Sequence, residues 1–214
     1  MTNLDIQEDL GLFQTIEERH SVKNYDPDFV LSQEDLEDIL HAANLAPSSW
    51  NLQHWRFLVI NEQSKQEELL PIAYNQQQIV DASAVIAILG DLEANKEADS
   101  ITQSAVDAGF MSGEVKHLLV DQINKAYESS AAVGHQLALV NASLAAMNLM
   151  LAAKAKGFDT CPMGGFNAQK FLESFDIPKR YVPIMLISLG KALKPAHRSS
   201  RKPLSEKVFY NTMK

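Results

Sequence analysis

The segment that most constrains the fold runs from His135 to Lys156 and is apolar on nearly every side. Its alanine, leucine and methionine residues are interrupted by Gln136, Asn141, Ser143 and Asn148. A membrane-spanning helix needs roughly 20 mostly apolar residues with few such interruptions. A helix that is apolar nearly all round is more simply buried in the protein or at a subunit interface. The sequence therefore predicts a core helix, and no membrane contact is expected.

Composition and charge exclude several classes of function. The chain has 214 residues, of which 46% are hydrophobic and 21% charged, as in a soluble globular protein. Its net charge of −8 argues against general binding to nucleic acid, because that requires many cations on phosphates. Cys161 is the single cysteine and suits a reducing compartment. With acids rather than a basic start at the N-terminus, a signal peptide is not expected and a cytoplasmic location is.

Helical and strand patterns follow one another in mixed order, which predicts an α+β protein. We expect a small mixed or antiparallel sheet flanked by helices, and a single domain over residues 1–214. Residues 92–126 are polar and contain two glycines, so they are predicted to form a partly helical, lid-like excursion. Predicted helices cover residues 10–19, 33–46, 63–70 and 135–156, and predicted strands cover 57–60, 84–90 and 182–189.

The first polar cluster is "RHSVKNY", directly after the first predicted helix. Arg19, Ser21 and Lys23 alternate, so an extended backbone would point all three to one side. A guanidinium, a hydroxyl and an ammonium together suit a phosphate or another anion. A solvated basic turn would have the same composition, and the spacing alone does not separate the two interpretations.

The second cluster is "APSSWNLQHW", at the entrance to the first predicted strand. Ser48, Ser49 and Asn51 offer donors and acceptors for the edge of a heteroaromatic ring, and Trp50 and Trp55 offer flat apolar walls. Ligand sites often combine such groups. The alternative is an ordinary loop whose tryptophans fill the core.

Two further clusters lie near the C-terminus. In "CPMGGF", the paired glycines Gly164 and Gly165 let the backbone approach a ligand closely, although a plain turn would need them too; Cys161 is predicted to be a packed thiol rather than a nucleophile. The tail from Lys191 to Lys207 holds six Lys or Arg against one acid. This reversal of sign indicates either an anion site or a solvated basic tail.

Several standard catalytic motifs are absent from the sequence. There is no GxxxxGK[ST], GxGxxG, GxSxG or HExxH, and the six histidines lack metal-ligand spacing. No metal is expected. The chemistry is therefore predicted to come from a cofactor.

Taken in order, the four clusters resemble the nitroreductase family of FMN-dependent oxidoreductases. "RHSVKNYD" resembles its flavin-phosphate signature, and "APSSWNLQHWRF" is similar to its "PSS-x-N-x-Q-P-W-x-F" stretch. "PMGGF" resembles the turn whose backbone meets the flavin ring, and "SLGKALKP…RKPL" its closing strand and basic tail. The likeness extends from about Leu12 to Pro203.

The resemblance implies a homodimer with two FMN sites, each built from both chains, with the long apolar helix at the interface. NADH or NADPH would reduce FMN, and a nitroaromatic, quinone or similar acceptor would then take the electrons in a ping-pong cycle. Lys23 would stabilise the charge of the reduced ring, and no side chain need act as a catalytic nucleophile. One chain would contribute Arg19, His20, Ser21, Lys23, Asn75, Pro162, Met163, Gly164, Gly165, Arg198 and Arg201, and the other Pro47, Ser48, Ser49, Trp50 and Asn51.

The sequence departs from the family pattern in two places. His54 replaces the proline before Trp55, which predicts a less rigid loop. Gly164 stands where some members carry glutamate, so that only backbone would face N5 of the flavin. Arg201 is the preferred tail residue for the phosphate. Two alternatives remain open: a flavin-fragmenting or dehalogenating relative of the same fold, and a non-catalytic flavin-binding module.

Overall fold

The computed structural model describes residues 11–213, which form an antiparallel sheet between two layers of helices. The predicted α+β class is confirmed, with an antiparallel sheet. The helices of the described residues are α1 (Leu12–Glu18), α2 (Gln33–Asn44), α3 (Gln63–Ile72), α4 (Gln78–Asp81), α5 (Ala98–Asp107), α6 (Gly113–Ser129), α7 (Ala131–Ala155) and α8 (Ala168–Ser174). The strands are β1 (Trp55–Ile60), β2 (Ala84–Asp91), β3 (Asp159–Met163) and β4 (Tyr181–Gly190).

The sheet has the order β1-β2-β4-β3, and all its neighbouring strands are antiparallel. This order places β2 and β4 in the interior, where helices cover both faces. Ile86 and Ile88 of β2 face one helical layer, and Val85 and Ala87 face the other. Strands buried on both faces read as continuous apolar runs, which is why "AVIAILG" was recognisable as an interior strand.

The central helix α7 lies against one face of the sheet. Ala142, Ala145, Ala146 and Leu149 are completely buried there, in one cluster with residues of α2, β2 and β4. Among the described helices, α7 is long and apolar enough to cross a membrane, with 44% of its most apolar window buried. The small alanine side chains let α7 pack closely on the sheet. The prediction of a core helix is confirmed, because the face of α7 that contacts the sheet is completely buried.

Strand β3 occupies a stretch that the sequence analysis interpreted only as a turn. It contains Pro162, which cannot donate a ladder hydrogen bond, and it is an edge strand of the sheet. Edge strands tolerate proline, whereas central strands do not. The strand then ends at Met163, and the predicted glycine turn begins one residue later.

Residues 92–130 form a helical hairpin on one side of the sheet. Gly109 has a φ of +76° after the end of α5, and the Ser112 hydroxyl caps α6 by accepting from the Val115 amide at 3.3 Å. The hairpin returns to α7 at Gly134, where a Cβ would lie 2.5 Å from the Leu92 carbonyl oxygen. Glycine is needed for this close approach. The predicted partly helical excursion is thus two packed helices.

A buried carboxylate fixes the start of this hairpin. Asp91 is fully buried, and both its oxygens accept from Arg180 at 2.7 Å, as a bidentate pair. Arg180 also contacts Glu97 at 3.2 Å, and Asp91 accepts from the Glu93 amide at 2.9 Å. A buried charge is tolerated only when it is paired and hydrogen-bonded in this way. The hairpin is therefore anchored to the sheet by charge as well as by packing.

Candidate functional site

The segment from Arg19 to Tyr25 meets the open side of β3 at Thr160 and then reaches Ala192, just after β4, where Tyr25 forms a bridge. Ser21 forms a parallel bridge with Thr160, and the Val22 amide donates to the Thr160 carbonyl at 3.0 Å. Val22 and Tyr25 are buried, whereas Ser21 is exposed. Exposed Ser21 and Lys23 thus flank buried Val22, because apolar Val22 packs inward from an extended backbone, whereas Arg19 and His20 are both half-buried.

The cations of this segment lie close to the thiol of Cys161. Burial raises the pKa of the Cys161 thiol, and the positive charges of Lys23 and Arg19 oppose that rise. The thiol is 3% exposed, as predicted for a packed cysteine. Arg19 and Lys23 consequently bring positive charge to the edge of the sheet at β3.

A cleft of about 780 Å³ lies between the end of α1, the start of β3 and the tail. His20 and Arg198 line it from opposite segments, and the Lys154–Asp159 ion pair, 3.2 Å long, lies at its base. Arg201 is not part of the lining; its guanidinium donates to the Ser200 carbonyl at 3.0 Å. The structure therefore brings Arg198, rather than Arg201, beside the Arg19–Lys23 segment.

The glycine turn after β3 is open to solvent. Gly164 and Gly165 are exposed, and a Cβ on Gly164 would meet nothing within 4 Å. Asn75 lies in a neighbouring loop in the left-handed region, with a φ of 55°, and the next residue, Gln76, donates to the Gly165 carbonyl at 2.8 Å. The Asn75 loop and the two glycines are thus joined at an exposed surface, whereas the Met163 side chain is 5% exposed and belongs to the core.

The stretch from Pro47 to Asn51 lies elsewhere in the same chain. It precedes β1, and three strand spacings of roughly 4.8 Å separate β1 from β3, about 14 Å in all. The Ser49 amide donates to the Asn141 side chain of α7 at 2.9 Å. Trp50, at a φ of 52°, packs beside Ile123 of the hairpin. The structure therefore places the predicted site residues in two groups at opposite edges of the sheet.

The two tryptophans have different environments. Trp55 is 3% exposed, belongs to the main core and donates from Nε1 to the Asn44 side chain at 2.9 Å. For Trp55, filling the core is the correct interpretation. Trp50 is only half-buried and remains available to a ligand.

His54 is a structural anchor for which no sequence motif exists. It is completely buried, its Nε2 lies 3.0 Å from the Tyr127 hydroxyl, and its carbonyl accepts from the Asp91 amide at 2.7 Å. The replacement of proline by His54 was expected to make the loop before Trp55 less rigid. These contacts instead hold that loop to the α5–α6 hairpin. Burial lowers the pKa of His54 to about 4, against the opposing charge of Asp91.

The lowered pKa of His54 predicts a pH dependence of stability. The unfolded chain binds a proton at this residue near its ordinary pKa of 6.5, and the folded chain only near 4. The contribution of the neutral His54 ring to the free energy of unfolding is therefore complete above pH 6.5. It should fall by about 2–3 kcal/mol between pH 7 and pH 4.5. Urea unfolding across this range should show a steeper loss for the wild type than for His54→Gln, which has no titrating ring. If the free energy of unfolding fell equally with pH in both proteins, this pH dependence would not come from His54.

Together the fold and the site define an α+β protein with a positively charged segment and an open glycine turn along one sheet edge. Residues 16–191 match the model of the nitroreductase family, and the chain belongs to that family. YodC of Bacillus subtilis, named an NAD(P)H nitroreductase, is 54% identical over 188 residues, covering 88% of this chain and 93% of YodC.

Solved structures agree with this membership. A nitroreductase from Exiguobacterium sibiricum, determined in complex with FMN, has a TM-score of 0.90 and 38% identity, covering 96% of this chain and 99% of its own. The CLA biosynthesis enone reductase of Lactiplantibacillus plantarum is 29% identical over 184 residues, covering 84% of this chain and 85% of its own. The predicted family, fold class and type of enzyme are confirmed.

Proposed function

We propose that this protein is an FMN-dependent oxidoreductase that passes electrons from NADH or NADPH to nitroaromatic, quinone or enone acceptors. The observation that carries the proposal is the edge of β3, where Ser21 pairs with Thr160 and the exposed Gly164–Gly165 turn follows the end of the strand at Met163. The FMN held by the Exiguobacterium relative supports it. The names of the relatives support the nucleotide donor and the nitroaromatic and enone acceptors.

The residues present fit the chemistry of FMN. Its phosphate is a dianion, and a guanidinium with a hydroxyl matches it through charge-assisted hydrogen bonds. Arg19 and Ser21 would bind the phosphate, with Arg198 or Arg201 from the tail. The exposed Gly164 amide can approach a flat ring because no side chain intervenes.

Bound FMN would supply the redox chemistry by accepting two electrons and passing them on. The tasks of the chain are to bind, to orient and to stabilise charge. Lys23 would stabilise the negative charge that reduction places near N1 and O2, and Asn75 would orient the ring edge. Ping-pong kinetics are expected because the electrons stay in the protein after the oxidised nucleotide leaves, so that the acceptor can use the same space.

The proposal includes a homodimer that completes each site. Leu139, Leu144 and Met147 lie on the face of α7 away from the sheet and are 50%, 42% and 37% exposed. Leu12 and Phe13 of α1 are 63% and 82% exposed, and α1 contacts α7. Large contiguous apolar surfaces of this kind mark interaction sites. A second copy covering them would bring its Pro47–Asn51 stretch to the first copy's FMN.

The lid-like role of the α5–α6 hairpin and a cytoplasmic location belong to the same proposal. The hairpin packs against Trp50 through Ile123, so it can limit solvent access to the loop that borders the partner's site. Cys161 is a free buried thiol, and an unpaired cysteine is suited to a reducing compartment.

The visible spectrum of the purified protein tests the cofactor and its role together. The proposal predicts a flavin band near roughly 450 nm that disappears anaerobically with NADH or NADPH and returns on adding nitrofurazone or menadione. Double-reciprocal plots of the initial rate against NADH or NADPH concentration that stay parallel at different acceptor concentrations would indicate ping-pong kinetics. A colourless protein that takes up no FMN would refute the proposal. Loss of flavin under oxygen would indicate fragmentation, and bound flavin without turnover a non-catalytic module.

A further inference from the structure

The side chain of Gln76 joins the Asn75 loop to the glycine turn after β3. We propose that Gln76 is a positioning residue that fixes the backbone of Gly164 and Gly165, and thereby sets the redox properties of the bound flavin. This inference rests on the proposed function, because the Gly164 amide matters only if a flavin ring lies against it. Gln76 itself is not assigned a contact with the ring.

Both amide protons of Gln76 are used. Nε2 donates to the Gly165 carbonyl at 2.8 Å and to the Ala73 carbonyl at 3.1 Å. The backbone amide of Gln76 also donates to the Ala73 carbonyl, at 3.3 Å. One side chain therefore connects two loops that are 89 residues apart in the chain.

A second glutamine holds Gln76 from behind. Gln78 is 5% exposed, and its Nε2 donates to Oε1 of Gln76 at 3.2 Å and contacts Sδ of Met163 at 3.3 Å. This arrangement fixes which end of the Gln76 amide faces Gly165, because carbonyl oxygens require a donor and the Gln78 amide requires an acceptor. Two side chains thus link the end of β3 to the Asn75 loop.

The two glycines add no side-chain packing, although the residues just after them are held by the Asn167 amide, which donates to the Ile72 carbonyl at 2.9 Å, and by the ring of Phe166 against Phe171. Glycine has the greatest backbone freedom of any residue, and Gly164 and Gly165 are both exposed without side chains to pack. On the other side of the contact, Tyr74 and Asn75 both have a φ of 55°, a conformation uncommon outside glycine. The hydrogen bonds of Gln76 therefore stabilise two segments that would otherwise be mobile or strained.

The expected consequence differs for the two redox states of FMN. In oxidised flavin N5 is an acceptor, and a fixed amide facing it stabilises that state. In reduced flavin N5 carries a proton, so the same amide gives no such bond. Loosening the turn should therefore weaken binding of oxidised flavin selectively, and a cofactor whose oxidised form is less stabilised has a less negative midpoint potential.

Gln76→Met tests the inference, since methionine has a similar length but no amide donor or charge. A lost hydrogen bond should lower the affinity for oxidised FMN roughly three- to tenfold. The midpoint potential should rise by about 15–30 mV, the two-electron equivalent of that change. In the apo protein, hydrogen exchange should accelerate at the Gly164 and Gly165 amides. Gln77→Met is the matched control, because the Gln77 side chain bonds only Asp81 on the exposed side of α4.

The inference is overturned if Gln76→Met keeps the wild-type potential and the wild-type exchange at the turn. A lower melting temperature with an unchanged potential would mean that Gln76 is merely structural, and would overturn it as well. Failure of the proposed function is distinguishable, since the wild-type protein would then bind no FMN. Gln76→Ala should reproduce the effect of Gln76→Met, because neither can donate to the Gly165 carbonyl.

Discussion

Arg19→Ala is expected to purify mostly without FMN. Arg19 is held beside β3 by the Ser21 bridge, and its guanidinium is the strongest candidate for a charge-assisted bond to the phosphate. Such bonds contribute more than neutral ones, and their loss should weaken FMN binding roughly ten- to a hundredfold. Titration of the apo protein with FMN, followed by flavin fluorescence, measures the change directly.

Lys23→Ala is the matched control for this prediction. It removes one positive charge from the same segment, so net charge changes equally in both variants. Lys23→Ala should retain more flavin and instead make the reduction potential more negative, because the reduced ring loses a stabilising cation. Wild-type FMN affinity in Arg19→Ala, and also in Arg198→Ala and Arg201→Ala, would contradict the phosphate assignment.

Leu144→Asp is expected to separate the dimer and to release FMN at the same time. Leu144 is 42% exposed on the outward face of α7. Burying a leucine contributes about 1.5–3 kcal/mol, and a carboxylate in its place adds a desolvation cost. The dimer dissociation constant should therefore rise more than about a hundredfold. If both chains build each site, FMN binding and dimerisation stabilise each other.

Sedimentation of holo and apo protein across a dilution series measures both effects of Leu144→Asp, with flavin fluorescence followed in parallel. Leu144→Met is the control, since it keeps an apolar side chain of similar volume and should leave both equilibria within about threefold of the wild type. A stable monomer that binds FMN as tightly as the wild type would rule out a shared site.

The interior of the fold was predictable because its strands are apolar on both faces. The run Ala84–Gly90 in β2 has no polar residue, and the run Val182–Leu189 in β4 has only Ser188. Ser32 begins α2 as expected, its hydroxyl accepting from the Asp35 amide at 3.0 Å. Strand β3 was missed because its "DTCPM" sequence has no alternation and contains Pro162. Its position at the sheet edge follows from tertiary pairing, which local sequence does not encode.

The candidate site combines local clusters, which the sequence predicts, with long-range contacts, which it does not. The Arg19–Lys23 segment and the glycine turn carry their chemistry in consecutive residues, so the spacing indicated them. The Gln76–Gly165 and His54–Tyr127 contacts join residues 89 and 73 positions apart. A single sequence gives no signal for such pairs. The exposure of the apolar residues of α1 also has no signal in the sequence, and only the structure shows that they are exposed.

Mixed dimers test whether each flavin site is divided between two chains. Arg19→Ala disables the phosphate half, and Asn51→Asp introduces a charge into the other half while tolerating the φ of 57° at that position. The two variants would be co-expressed with different tags and the heterodimer isolated. One of its sites then carries both defects and the other carries neither. We expect the heterodimer to bind one FMN with wild-type affinity, although the homodimer of each variant binds FMN weakly at both sites. A heterodimer that binds FMN as weakly as its parents at both sites would contradict it.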